Sequence, residues 1–247
     1  MYIPRASRDR RQAYVYSTFY TCSRYKTEWL KAIQVQWLSD PIAPASSVID
    51  DRIFVRELLD HLLATLCIDE RSVYGLGLSN GGGLTGLLMC DPNLNTRFAA
   101  FATVAGAFYP DSTLTEPLFQ AGCNPNLRGR RLPYLNFHGL ADGVVAYDGV
   151  NPDAPTSLPI RDWVNGWATR NGCQAPRDAE VEGGTVTETK WDCGGVRDVV
   201  VHRAIEGFGH GWPSIKAQGE PFETLRGGPT TWDATPLIFR FFNSWKL

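Results

Sequence analysis

The stretch Gly77-Leu78-Ser79-Asn80-Gly81-Gly82-Gly83 constrains this chain more than any other. Just before it, Val73, Tyr74, Leu76 and Leu78 have the apolar density of a short buried strand. Just after it, Leu84, Leu87, Leu88 and Met89 read as a helix, which Asp91-Pro92 closes. A chain that turns sharply from strand into helix needs glycine wherever a Cβ would strike the backbone. The stretch therefore predicts a strand–helix unit, and a fold built from such units.

The rest of the sequence supplies them. Ile53, Phe54, Leu58, Leu62, Leu63 and Leu66 fall at helical spacing, with Asp50 or Asp51 able to cap the start. Residues 98–106 and 133–138 read as further buried strands. Residues 157–170 read as a helix that carries Trp163, Val164 and Trp167 on one face and stops at Gly172. Residues 181–191 and 196–205 are β-rich, and 232–245 form an apolar helix with Pro236 in its first turn. This alternation predicts an α/β protein, a mostly parallel sheet with helices on both faces. Residues 1–45 sustain no periodicity and are broken by Pro41 and Pro44. The expected organisation is an atypical segment over 1–40 and one α/β domain over 41–247.

Composition removes several function classes. Of 247 residues, 43% are apolar, too many for a disordered chain. The net charge of −2 offers no footprint for nucleic acid or an anionic membrane. No apolar run approaches the roughly 20 residues of a spanning helix. No apolar stretch follows Arg5, Arg8, Arg10 and Arg11, so these residues do not read as the start of a secretory leader. Six cysteines are compatible with disulfides, and Cys173 with Cys193, which flank a hairpin-like stretch, make the best local pair. Buried free thiols are the plainer alternative.

Three loops could carry chemistry. A serine hydroxyl is a poor nucleophile unless it is exposed and has a base beside it, and the turn at Ser79 provides exposure. A capping serine in a glycine-rich turn is the structural alternative. Asp142, in His138-Gly139-Leu140-Ala141-Asp142-Gly143, follows a strand and could orient an imidazole, although Asp-Gly is also a common turn pair. His210 sits between glycines in Gly207-Phe208-Gly209-His210-Gly211-Trp212-Pro213, again after a strand. The order Ser79, Asp142, His210 is that of α/β-hydrolases, and three loops that each follow a strand of one parallel sheet would converge at one edge. His61, His138 and His202 fit the role of base less well, lying in a helix, before the aspartate and in a strand. Neither His-Glu-x-x-His nor Cys-x-x-Cys occurs, so no metal and no cofactor is expected.

These motifs, with Cys67-Ile68-Asp69 and the stretch from Asp233-Ala234-Thr235-Pro236 to Trp245, resemble fungal feruloyl esterases of the polyhydroxybutyrate depolymerase-like group, over about Trp37 to Leu247. The resemblance implies an α/β-hydrolase fold and a secreted, monomeric serine esterase acting on plant cell-wall polysaccharide esters or small phenolic esters. It implies a triad of Ser79, Asp142 and His210, with the backbone N–H of Asn80 as an oxyanion donor. Acetylxylan esterase and polyester depolymerase are the nearest alternatives. Members of this group carry upstream strands and a His-Gly loop that gives a second oxyanion donor. Here His61, followed by Leu62, is the one histidine before Ser79. A homologue short of its N-terminal strands, impaired or without catalytic role, is therefore the competing expectation.

Overall fold

A computed structural model describes residues 13–17, 36–110, 119, 123–150 and 156–247. Seven strands form one sheet in the order β1-β2-β3-β4-β7-β6-β5. They are β1 Ala13–Ser17, β2 Val73–Leu78, β3 Ala100–Val104, β4 Tyr134–Gly139, β5 Arg177–Val181, β6 Val186–Cys193 and β7 Val196–Ile205. The five from β1 to β7 pair in parallel, and β6 and β5 continue antiparallel. Within the 1–40 segment, where no element is expected, β1 thus lies along β2. Cys22 and the rest of 18–35 fall outside the described residues.

Alternation of side chains across the sheet divides the core into two layers. On one face Phe101, Tyr134 and Val200 pack with α1 (Asp51–Thr65), α2 (Asn80–Cys90) and α3 (Ile160–Arg170). On the other, Ala100, Ala102, Leu135, Phe137 and Val201 pack with Ile238 and Phe242 of α5 (Ala234–Asn243), which follows the short α4 (Phe222–Arg226). Helices on both faces of a mostly parallel sheet are the expected arrangement. Helix α2 is buried along its whole length, which explains why its apolar residues encircle it.

The helix over 51–65 forms, capped by the Asp50 carboxylate on the N–H of Arg52 at 2.9 Å, but its inner face is not the expected one. Val55 and Leu59 are buried, while Ile53, Phe54 and Leu66 are exposed. Just ahead of the β-rich stretch over 181–191 lies a strand the pattern does not reveal. β5 reads Arg-Asp-Ala-Glu-Val, has little apolar content and lies exposed at the sheet edge, where charged side chains are common.

Cys173 and Cys193 are joined, as are Cys90 and Cys123, and Cys67 is an exposed free thiol. Among the described residues no helix is long and apolar enough to cross a membrane.

Candidate active site

The turn at Ser79 is built by close backbone approach. A Cβ on Gly77 would lie 1.9 Å from the carbonyl oxygen of Gly81, so β2 can reverse into α2 only with glycine there. Ser79, at the apex, has φ 57 and ψ −126, a backbone conformation a residue with a Cβ adopts only when its surroundings hold it. Its N–H donates to Val104 O at 3.0 Å, and its carbonyl accepts from Gly83 and Ala107, each at 3.1 Å. These bonds tie the strained residue to β3 and α2.

Ser79 Oγ is 2.9 Å from His210 Nε2, and His210 Nδ1 is 2.8 Å from Asp142 Oδ2. The carboxylate can only accept, so Nδ1 carries the proton and leaves Nε2 free to accept from the serine hydroxyl. All three residues lie in loops after β2, β4 and β7, strands that with β3 adjoin in the sheet. His210 and Asp142 are buried. Asp142 Oδ1 accepts from the N–H groups of Val144 and Val145 at 2.9 and 2.8 Å. Burial alone would push the Asp142 carboxyl up. The donors His138 and His210 outweigh it and hold the group well below the usual carboxylate range.

Asn80, the expected oxyanion donor, is the first residue of α2, so its N–H has no acceptor within the helix. Its buried side chain clamps the turn before α1. Oδ1 accepts from Trp37 N–H at 2.7 Å, and Nδ2 donates to Ser39 Oγ at 3.1 Å. Ser39 Oγ in turn donates to Asn80 O at 3.2 Å. Sequence gives no signal for this clamp, because its partners are 41 and 43 residues apart.

The His210 loop has a second hidden support, Arg226. Its guanidinium is fully buried, and each of its N–H groups is used. Nη1 donates to Trp212 O and Ser214 O, and Nη2 to Lys216 O. The Glu223 carboxylate accepts from both Nε and Nη2. The backbone beside it finishes the job: Leu225 O accepts from His210 N–H at 2.7 Å and Arg226 O from Gly209 N–H at 2.9 Å.

Among the described residues no group of three or more His, Cys, Asp or Glu side chains could hold a metal ion. His61 lies exposed on α1, far from this constellation in sequence and outside its hydrogen bonds. His202 is fully buried in β7, bonded to Asn136 and Tyr147. His138, set aside by its position before the aspartate, instead touches it, with Nε2 3.3 Å from Asp142 Oδ2.

No protein-family model matches the chain. It is 28% identical to feruloyl esterase B of Piromyces equi over 189 residues, covering 71% of this chain and 33% of that protein. It is 27% identical to feruloyl esterase C of Emericella nidulans over 164 residues, covering 66% and 52%. The chain thus spans between a third and about half the length of these curated relatives. In structure it is similar to the acetyl xylan esterase from Aspergillus awamori, with a TM-score of 0.50 at 13% identity, covering 78% of this chain and 67% of that one. That likeness, with the sheet order and flanking helices, shows the fold. The chain is feruloyl esterase-like in sequence and has the α/β-hydrolase fold.

Proposed function

We propose that the protein is a serine carboxylic-ester hydrolase acting on plant cell-wall polysaccharide esters, with ferulate esters its most fitting substrates. The observation that carries this reading is the continuous relay Ser79 Oγ, His210 Nε2, His210 Nδ1, Asp142 Oδ2, with both links under 3 Å. The similarity to feruloyl esterases B and C supports the acyl class. Two disulfides support a secreted protein, since such bonds persist in oxidising compartments.

In this mechanism Ser79 Oγ attacks the ester carbonyl as its proton passes to His210 Nε2. Asp142 stabilises the resulting imidazolium and keeps the ring aligned. The oxyanion of the tetrahedral intermediate takes the N–H of Asn80, at the positive end of α2. His210 then protonates the leaving alcohol oxygen as the acyl C–O bond breaks, leaving Ser79 acylated. Water, deprotonated by the same nitrogen, releases the acid and restores the serine.

The test is hydrolysis of methyl ferulate together with covalent labelling by a fluorophosphonate. The wild type should turn over and label at Ser79, and Ser79→Ala should lose about 10⁴-fold or more in kcat and all labelling. A folded wild type that neither hydrolyses nor labels would sink the proposal in favour of a non-catalytic relative.

A further inference from the structure

His138 lies at the end of β4 with its side chain fully buried, and the relay above does not use it. Its Nε2 is 2.8 Å from Val145 O and 3.3 Å from Asp142 Oδ2. A backbone carbonyl can only accept, so the proton sits on Nε2 and is donated to Val145 O, with Asp142 Oδ2 in polar contact with the same N–H. Val145 also donates its own N–H to Asp142 Oδ1. The contacts therefore close a ring: Asp142 Oδ1 to Val145 N, Val145 O to His138 Nε2, His138 Nε2 back to Asp142 Oδ2. With His210 and Val144, the carboxylate accepts three hydrogen bonds, two on Oδ1 and one on Oδ2, and His138 Nε2 adds a polar contact to Oδ2 at 3.3 Å. The other ring nitrogen, Nδ1, is buried with no hydrogen-bond partner among the described residues. The face of Tyr147 lies edge-on to the ring, and His202 stands beyond it on the Tyr147 hydroxyl. An imidazole that leaves one nitrogen unpartnered is poorly explained as a packing element alone, because burying an unpaired polar atom is unfavourable.

We propose that His138 is a positioning residue of the esterase site, fixing the Asp142 carboxylate so that Oδ2 faces His210 Nδ1. This rests on the hydrolase reading above. The Val144 and Val145 bonds hold Oδ1 alone, and a carboxylate held at one oxygen can twist about Cβ–Cγ. The His138 contact on Oδ2, tied through Val145 O to the loop that holds Oδ1, is the second point that limits the twist. Acylation depends on this alignment, since a misplaced relay loses rate while binding of the ester is largely unaffected.

Two amide variants of the full chain separate positioning from packing. In His138→Gln the amide nitrogen reaches the place of Nε2. In His138→Asn it reaches only the place of Nδ1. We expect His138→Asn to lower kcat for nitrophenyl acetate, and the rate of fluorophosphonate labelling at Ser79, on the order of 10- to 100-fold with KM within about threefold. The low-field proton resonance of the His210–Asp142 hydrogen bond should broaden or vanish. His138→Gln should return kcat and that resonance to near wild type. Retention of kcat within about twofold in folded His138→Asn overturns the proposal, as does equal impairment of the two variants. The wild type gives a second measurement should either variant fail to fold. Phosphonylation of Ser79 should shift the Nε2 proton of His138, which shares Oδ2 with His210, and an unchanged signal overturns the proposal. A wild type that does not label at all overturns the hydrolase reading instead, so the two failures are distinct.

Discussion

Acid should destabilise this protein through His202, by an amount that can be worked out. The ring is fully buried in β7, between Asn136 Oδ1 on Nδ1 and the Tyr147 hydroxyl on Nε2, each at 2.8 Å. The amide nitrogen of Asn136 is committed to Thr103 and Tyr134, so its oxygen accepts and His202 Nδ1 donates. Nε2 then accepts from Tyr147, and the neutral ring is satisfied on both sides. Burial, reinforced by the nearby Arg161 charge, pushes the pKa down to about 3. In the unfolded chain it is about 6.5. Between those values the unfolded state holds one proton more than the folded state, so stability falls as pH falls. The slope is about 1.4 kcal/mol per pH unit, full stability being kept above about 6.5 and the loss levelling off below about 3. From pH 7.5 to 4.5 this one group should remove about 3 kcal/mol. In a chain of this size that is a shift on the order of 1 M in the urea midpoint.

Other groups titrate over the same range, so the measurement is a difference. Reversible urea unfolding of the wild type and His202→Gln would be followed at both pH values with disulfides intact. Glutamine can accept from Tyr147 but does not ionise. At pH 7.5 the variant should be the weaker protein, since it loses the bond to Asn136. Its additional loss on going to pH 4.5 should be smaller than the wild type's by about 3 kcal/mol. Equal losses, within about 0.5 kcal/mol, would refute the reasoning by showing that His202 does not stay neutral in the fold.

Two further substitutions probe the walls of the site. Gly77→Ala places a Cβ 1.9 Å from Gly81 O, backbone against backbone. We expect a loss of about 3 kcal/mol or more in urea unfolding, with labelling of Ser79 falling in the fraction that still folds. Arg226→Met leaves the carbonyls of Trp212, Ser214 and Lys216 and the Glu223 carboxylate without their shared donor. A destabilisation of about 3–5 kcal/mol, read as a lower urea midpoint, is expected together with a lower kcat from a loosened His210 loop.

What could be read from the sequence follows the range of the interactions involved. The Ser79 turn was legible because its cause is local: a strand pattern, a helix pattern, and glycines between them where the backbone closes on itself. The Cys173–Cys193 pair was legible because both residues flank the β5–β6 hairpin. Cys90–Cys123 was not, since it joins the end of α2 to a position 33 residues on, beyond β3, that no local pattern singles out. β5 carries charge instead of alternation, because an exposed edge has no apolar face to bury. In α1 the helix could be read but its inward face could not. Ile53 and Phe54 belong to the same periodic set as Leu58, and nothing local says that the core takes Val55 and Leu59 instead.

The same distinction explains why the candidate triad could be named while its supports could not. Ser79, Asp142 and His210 each follow a strand, and strands β2, β3, β4 and β7 are parallel neighbours, so their carboxyl ends must meet. Chain order and strand order are enough to bring the three loops together. Holding each side chain in its working rotamer is a different task, done by contacts that no pattern announces. Asn80 holds a turn more than 40 residues upstream, and Arg226 gathers carbonyls that only a folded loop brings within reach. An interior arginine runs against its usual place on the surface, and one found there has its reason in the fold around it. His138 shows how close such a support can lie to a legible motif and still be missed. Four residues before Asp142 looks like mere sequence adjacency until the turn after β4 folds the ring back onto the carboxylate. The relay is thus written in topology and its precision in tertiary contacts, so substitutions at the supports should reduce rate while leaving the relay's residues in place.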